Sequence, residues 1–256
     1  MDTLSSEEFY NRLARAFDVM TDWQARLAHE MPFLRETLNK QGARSILDTA
    51  CGTGWHAIAL AQKGYRTAGC DASSVMIEQA RANAAKARVP VRFEAADFAR
   101  MDVFGETFDA VLCLGNSLPH LLSHAALTDA LAHMRARLHP KGVLILHNLN
   151  YDLRVKKQPR FFAANGHGDA LVWRFADYGP EFITFHTALF ERKAEGEKSS
   201  WSVQVNSTLQ RPLLEKDLGE ALERTGFRET RHFGGLDGSP FNPERSGDLV
   251  VVAVAE

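Results

Sequence analysis

The chain has 256 residues, 45% of them apolar and 24% charged, which are globular proportions and exclude a disordered chain, a collagen-like repeat and a disulfide scaffold. Thirty Lys plus Arg stand against 32 Asp plus Glu, a net charge of −2, so there is none of the basic excess expected of a nucleic-acid or membrane binder. Cys51, Cys70 and Cys113 lie in apolar runs, as reduced thiols of a cytoplasmic protein would; the polar N-terminus MDTLSSEEFY does not read as a signal peptide, and no apolar run approaches the ~20 residues of a membrane helix.

Residues 5–40 read as helical. Phe9, Leu13, Ala16, Phe17 and Met20 recur at spacings of three and four, the pattern of one apolar helix face. A second helix is expected from Trp23 to Leu38, with Pro32 as a bend or break. From Arg44 strands and helices alternate. The strands are Ser45–Ala50, Arg66–Asp71, Val91–Asp97, Phe108–Leu114 and Val143–Leu149. Helices are expected over 55–63, from Ser73 or Ser74 to Ala87, and over 124–138, with a turn at Pro140-Lys141-Gly142. This alternation predicts βαβ units and a mainly parallel sheet covered on both faces.

After Tyr151 the rhythm changes. Residues 171–177, 182–192 and 201–211 read as strands without helices between them, and 194–200 as a hairpin turn. A helix over 214–225 stops at Gly226, and strands near 228–233 and 248–254 close the sheet with an antiparallel edge. The expected fold is therefore α/β: a Rossmann-like, doubly wound, seven-stranded sheet with an N-terminal helical cap over 1–42. The core spans 43–256 and carries an antiparallel β-ribbon inserted at about 152–212.

The first strand runs into Asp48-Thr49-Ala50-Cys51-Gly52-Thr53-Gly54. Glycines at a strand-to-helix turn let backbone approach a ligand, and ligands bind at the carboxyl ends of such strands. Asp71 ends the second strand, 19 residues after Gly52, where a carboxylate can accept from a ribose diol. Two cofactors fit that much. Gly52-Thr53-Gly54-Trp55-His56-Ala57 also matches the dinucleotide pattern G-x-G-x-x-[GA], which brings NAD into consideration. Two features favour S-adenosylmethionine (SAM). Asp48 would face an anionic pyrophosphate in NAD but a cationic sulfonium and ammonium in SAM. Asp97-Phe98, at the end of the third strand, can bond an adenine amine and pack on its ring.

D-x-x-C-G-T-G, the strand-ending Asp71 and the Asp97-Phe98 pair together resemble a class I SAM-dependent methyltransferase. The run Phe108 to Leu121 (FDAVLCLGNSLPHL), Asn150-Tyr151-Asp152 and Asp22-Trp23-Gln24-Ala25-Arg26 are similar to the glycine and glycine/sarcosine N-methyltransferases. The resemblance implies a site. Arg26 would pair with the SAM carboxylate. Ala50 and Gly52 would pass its amino-acid part, with Asp48 and Gly54 of the same loop as further cofactor-binding candidates. Asp71 and Ala72 would hold the ribose, Asp97 and Phe98 the adenine, and Leu114 would line the same site. Asn116, Ser117 and His120 would face the methyl acceptor, with Tyr10 and Tyr151 beside them, and the 239–241 loop (SPF) is a further lining candidate.

One departure bears on substrate. In the glycine N-methyltransferases an arginine just before the Asn-Tyr-Asp run grips the substrate carboxylate; here that position is Leu149. The expected partner is a small-molecule acceptor, most simply an amine nitrogen. Neither nucleic acid nor a membrane is expected, and no histidine spacing suggests a metal. His120, Tyr151 and Asn116 are the catalytic candidates, His120 serving as base if the acceptor is a hydroxyl. The alternatives are an RNA or protein methyltransferase, a small oxygen or sulfur acceptor, and a SAM-binding module without catalysis.

Overall fold

A computed structural model describes residues 2–195 and 198–256. Helix α1 (Ser6–Phe17) starts in a capping box, in which the Ser5 hydroxyl accepts from the Glu8 N–H and Glu8 reaches back to Ser5. Its apolar face, Phe9, Leu13 and Ala16, is buried as the spacing predicts, and Met20 just beyond it is buried too. Helix α2 (Trp23–Lys40) begins at an Asp22 cap. Of the bend or break expected at Pro32, the break does not occur: the helix continues, with Met31, Phe33, Leu34 and Leu38 all buried, and that packing outweighs the one lost backbone bond.

The core elements follow in order: β1 (Ser45–Thr49), α3 (Trp55–Gln62), β2 (Arg66–Asp71), α4 (Ser74–Ala87), β3 (Arg92–Ala95), β4 (Phe108–Cys113), α5 (His124–Ala136) and β5 (Leu138–Leu149). Beyond them come α6 (Tyr151–Lys157), β6 (Phe161–His167), β7 (Ala170–Tyr178), β8 (Ile183–Glu195), β9 (Lys198–Gln210), α7 (Glu215–Arg224), β10 (Phe227–Phe233) and β11 (Asp248–Ala255). Seven strands form one sheet in the order β10-β11-β5-β4-β1-β2-β3. Leu47, Val111, Leu144 and Val251 pack one face against α5 and α7. Ile46, Leu112, Ile145 and Val250 pack the other against α2 and α3.

Three further expectations are corrected. The reversed strand is β11, but it lies one in from the edge, antiparallel to both β5 and β10. Pro140-Lys141-Gly142 does not end an element; it is an irregularity inside β5, with Lys141 at φ 64° and the register to β4 shifted there. The insertion is a four-stranded antiparallel sheet, β6-β7-β8-β9, preceded by α6. The expected turn at 194–200 includes residues 196 and 197, which lie outside the described residues; β8 and β9 pair up to Glu195–Lys198.

This second sheet and α1 form a cover. Phe9, Leu13 and Ala16 pack with Val172 and Leu189, and Leu4 pairs with Thr208. The Asp18 carboxylate accepts from both Trp23 Nε1 (2.8 Å) and Thr53 Oγ1 (2.7 Å), tying the cap to the loop after β1.

Candidate active site

At the carboxyl ends of β1, β2, β3 and β4 the structure forms a cavity of about 480 Å³, partly covered by α1 and α2. That lies within the roughly 300–1,000 Å³ of small-molecule sites. Twelve sequence-predicted residues line it: Tyr10, Arg26, Asp48, Ala50, Gly52, Asp71, Ala72, Asp97, Phe98, Leu114, Ser117 and His120.

The loop after β1 is shaped by backbone that few residues adopt. Ala50 has φ 56° and Gly52 φ 54°. Asp71 holds this loop: its Oδ2 accepts from Gly52 N–H and its Oδ1 from Ser73 N–H, each at 2.9 Å. Each oxygen keeps a lone pair for a ligand. Gly54 is a correction. It does not line the cavity; a Cβ there would meet Phe93 Cζ at 2.7 Å, so this glycine, at φ 82°, serves packing beneath the loop. Asp97 Oδ1 is occupied by the N–H groups of Ala99 and Arg100, both at 3.1 Å, while Phe98 packs between cavity and core.

Asp48 is 3% exposed on the cavity wall. Burial and the neighbouring Asp71 push its carboxyl up to about 8, with Arg26 pulling the other way. A bound cation would favour its ionised form. SAM binding at pH 7 is therefore expected to release close to one proton, and affinity to rise with pH until about 8 and then level off. Calorimetry in two buffers of different ionisation enthalpy checks this: Asp48→Asn should abolish the release, and a wild-type protein that releases none would remove Asp48 from the site.

Arg26 is held by partners the sequence reading missed. Its Nε donates to Glu30 Oε1 at 2.9 Å, its guanidinium lies 5.0 Å from the Trp23 ring centre, and Glu30 Oε2 meets His56 Nε2 at 2.6 Å. Burial pushes the Glu30 carboxyl up, but the His56 bond and the charge and bond of Arg26 prevail and bring it down to about 2. Glu30 is thus a buried anion, 6% exposed, that fixes Arg26 and leaves its terminal N–H groups for a ligand. The Arg26–Glu30 spacing of four along one helix was the available sequence signal; nothing in sequence pointed to His56 as the third member.

His120 stands at the other end of the cavity. Its Nδ1 lies 3.2 Å from the Leu209 carbonyl, so Nδ1 carries the proton and Nε2 is the acceptor. Nε2 faces Tyr10 OH at 3.2 Å and Gln210 Nε2 at 3.4 Å. Burial pushes the imidazole down to about 4. Tyr151 and Asn116 do not line the cavity. The Tyr151 hydroxyl donates to Gln210 Oε1 and accepts from Asn116 Nδ2, both at 3.0 Å, and Asn116 Oδ1 accepts from Leu149 N–H. These two stand behind His120 and Gln210 as supports. The 239–241 loop is also outside the lining.

The architecture and chemistry agree with what the chain resembles. Residues 46–142 match the family described as a methyltransferase domain. A glycine/sarcosine N-methyltransferase of Parasynechococcus marenigrum (strain WH8102) is 31% identical over 240 residues, 93% of this chain and 82% of that protein. The chain belongs to the SAM-dependent methyltransferases. A second glycine/sarcosine N-methyltransferase, from Halorhodospira halochloris, is 36% identical over 57% of this chain and 55% of that protein, so there the match spans about half the relative. A solved SAM-dependent methyltransferase from Clostridium acetobutylicum ATCC 824 shares the fold, with TM-score 0.77 over 96% of this chain and 98% of that one, at 16% identity. The cavity of this methyltransferase suits SAM: two acids, the buried Asp48 and the half-buried Asp71, and one oriented guanidinium match a cationic, carboxylate-bearing nucleoside, with no basic cluster lining the wall for phosphates. No helix among the described residues is long and apolar enough to cross a membrane.

Proposed function

We propose that this methyltransferase acts on the nitrogen of a small amine. The observation that carries the reading is the acceptor end of the cavity, where Nδ1 of His120 is bonded to the Leu209 carbonyl and Nε2, its one acceptor, already faces the Tyr10 hydroxyl, each at 3.2 Å, while burial pushes its basicity down to about 4. A hydroxyl acceptor needs a base able to take its proton. A neutral amine brings its own lone pair and needs orientation and exclusion of water. The cavity's volume, about 480 Å³, supports a small acceptor over a polymer, and the names of the sequence relatives point to amine nitrogen as well.

The side chains divide the work. SAM supplies a methyl group already activated on a sulfonium. Arg26, Asp48, Asp71 and the Asp97-Phe98 pair are proposed to bind its carboxylate, cationic part, ribose and adenine. Leu209 orients His120, and His120 in turn accepts from the Tyr10 hydroxyl, leaving that oxygen's lone pairs for an N–H of the acceptor. Burial raises the Tyr10 phenol, so it stays neutral at physiological pH. α1, α2 and the antiparallel sheet cover the site from one side.

The test is SAH formation with SAM and a panel of small amines, alcohols and thiols. Turnover confined to amines is expected. Tyr10→Phe should raise acceptor KM by about tenfold, the value of one hydrogen bond, and leave kcat within a few-fold. Alcohols as the best substrates, or a loss of 10³ or more in kcat on replacing His120 by glutamine, would instead mark His120 as a general base.

A further inference from the structure

Side chains alternate along a strand, and an antiparallel sheet with one face in water carries polar residues on that face. The cover sheet breaks this rule. On β7, Val172 and Ala176 are buried on the inner side, yet Leu171, Trp173 and Phe175, which point the other way, are apolar too. The register carries this outer face across the sheet. Phe175 stands opposite Phe161 of β6 and His186 of β8. Trp173 stands opposite Ala188 and, through it, Val205; Leu171 stands opposite Phe190 and, through it, Val203. Trp201 lies two residues from Val203 on the same side of β9.

Phe161 is 60% exposed, Trp201 59% and Val203 55%. Among the described residues, none of the aromatic or branched side chains of this face belongs to a core cluster. They pack on one another instead. Phe161 stacks on Trp173 with ring centres 5.4 Å apart, Trp173 meets Phe175 at 5.7 Å, and Phe175 stacks on His186 at 4.5 Å. With ~150–250 Å² for a whole aromatic side chain, Phe161, Trp201 and Val203 together expose ~300 Å², and their half-buried neighbours bring the patch to ~500 Å². Two such faces pressed together bury ~1,000 Å² of apolar surface, and a polar rim brings the total to the ~1,200–2,000 Å² of stable complexes. The rim carries both signs, Arg160 with Asp177 at one end and Arg192 with Asp169 at the other, all four exposed. A twofold axis lying between the faces and across the strands sets the Arg192 end of one copy over the Asp177 end of the next. A mixed rim offers no single-signed field to a nucleic acid or an anionic membrane.

We propose that the outer face of the cover sheet docks a second copy of this chain, the two sheets stacking as a twofold dimer with Trp201 and Phe161 as its anchors. Large aromatic side chains held in place by their neighbours lose little freedom on docking, which is what concentrates binding energy at such positions. The opposite face of the same sheet carries Gln210 to His120. The dimer therefore braces the strand behind the acceptor end of the cavity without occupying the cavity side. The surface is independent of which acceptor the methyltransferase takes.

Sedimentation velocity over a concentration series tests it. Wild type should remain dimeric down to about 1 μM. Trp201→Glu and Phe161→Glu place a charge where the monomer leaves it in water, so each variant should fold, with far-UV circular dichroism and SAM affinity unchanged. Each should raise the dimer dissociation constant at least ~100-fold, the effect of losing an interface anchor. Val103→Glu is the control: Val103 is 45% exposed but lies in the short turn before β4, outside the cover sheet, and its variant should stay dimeric. A wild-type chain that is monomeric at about 50 μM overturns the proposal. So does an oligomer that both cover-sheet variants leave intact, which would place the interface elsewhere. A monomer that instead adheres to uncharged phosphatidylcholine vesicles through Trp201 would give the face to a lipid surface and likewise overturn it.

Discussion

Replacing Asp71 by alanine should weaken SAM binding at least 100-fold and lower the melting temperature by roughly 5–10 °C. Two losses combine. The ribose diol loses its acceptor, and the N–H groups of Gly52 and Ser73 lose theirs, each bonded at 2.9 Å. Leaving a buried donor unpaired costs about 1–3 kcal/mol, and 1 kcal/mol moves the midpoint of a chain this long by about 2–4 °C. Asp71→Asn should fall between, because one oxygen can still accept from backbone. Calorimetry with SAM and thermal denaturation read the two effects independently. Affinity within threefold of wild type in Asp71→Ala would remove Asp71 from the cofactor site, whatever happened to stability.

Arg26→Ala should weaken SAM binding by ~10- to 100-fold, the value of a charge-assisted pair, while leaving the affinity of decarboxylated SAM little changed. Glu30→Gln tests the support. Glu30 stays ionised between Arg26 and His56, and the amide would keep the shape but lose the charge that aims the guanidinium. An intermediate loss for SAM, with the preference over the decarboxylated analogue reduced, is expected. Equal losses for both ligands in Arg26→Ala would show that Arg26 shapes the wall without touching the carboxylate.

The parallel core was legible because its signals are local. Apolar runs leading into the 49–54 loop, Asp71 and Asp97 mark the strand ends, and Ser73 and Ser123 cap the helices that follow two of the strands, accepting from Met76 and Ala126 N–H. Where the reading failed, distant packing decided. Pro32 sits in a helix kept whole by its buried neighbours, and Lys141 turns within a strand that continues on both sides. α6 is only seven residues long, too short to show a period, and β6 (FFAANGH) alternates poorly. The same holds in the site. Residues at strand ends could be named from spacing, as Asp48, Gly52 and Asp71 were, or from the resemblance, as Ala50 and Leu114 were, and all five reach the cavity. Gly54 obeyed a motif but answers to Phe93. His56 and Gln210 join the site's hydrogen bonds, to Glu30 and His120, only through contacts between elements far apart in sequence, and no spacing announces them.

The account stands most directly on where the methyl group goes. Incubation with SAM labelled in the methyl carbon, a mixture of small amines, amino acids and alcohols, and total RNA and protein as competitors, followed by NMR and mass spectrometry of the products, would show this in one experiment. The account predicts label on the nitrogen of a small amine, with the polymers unlabelled. Label on RNA or protein, or on the oxygen of a small molecule, would contradict it.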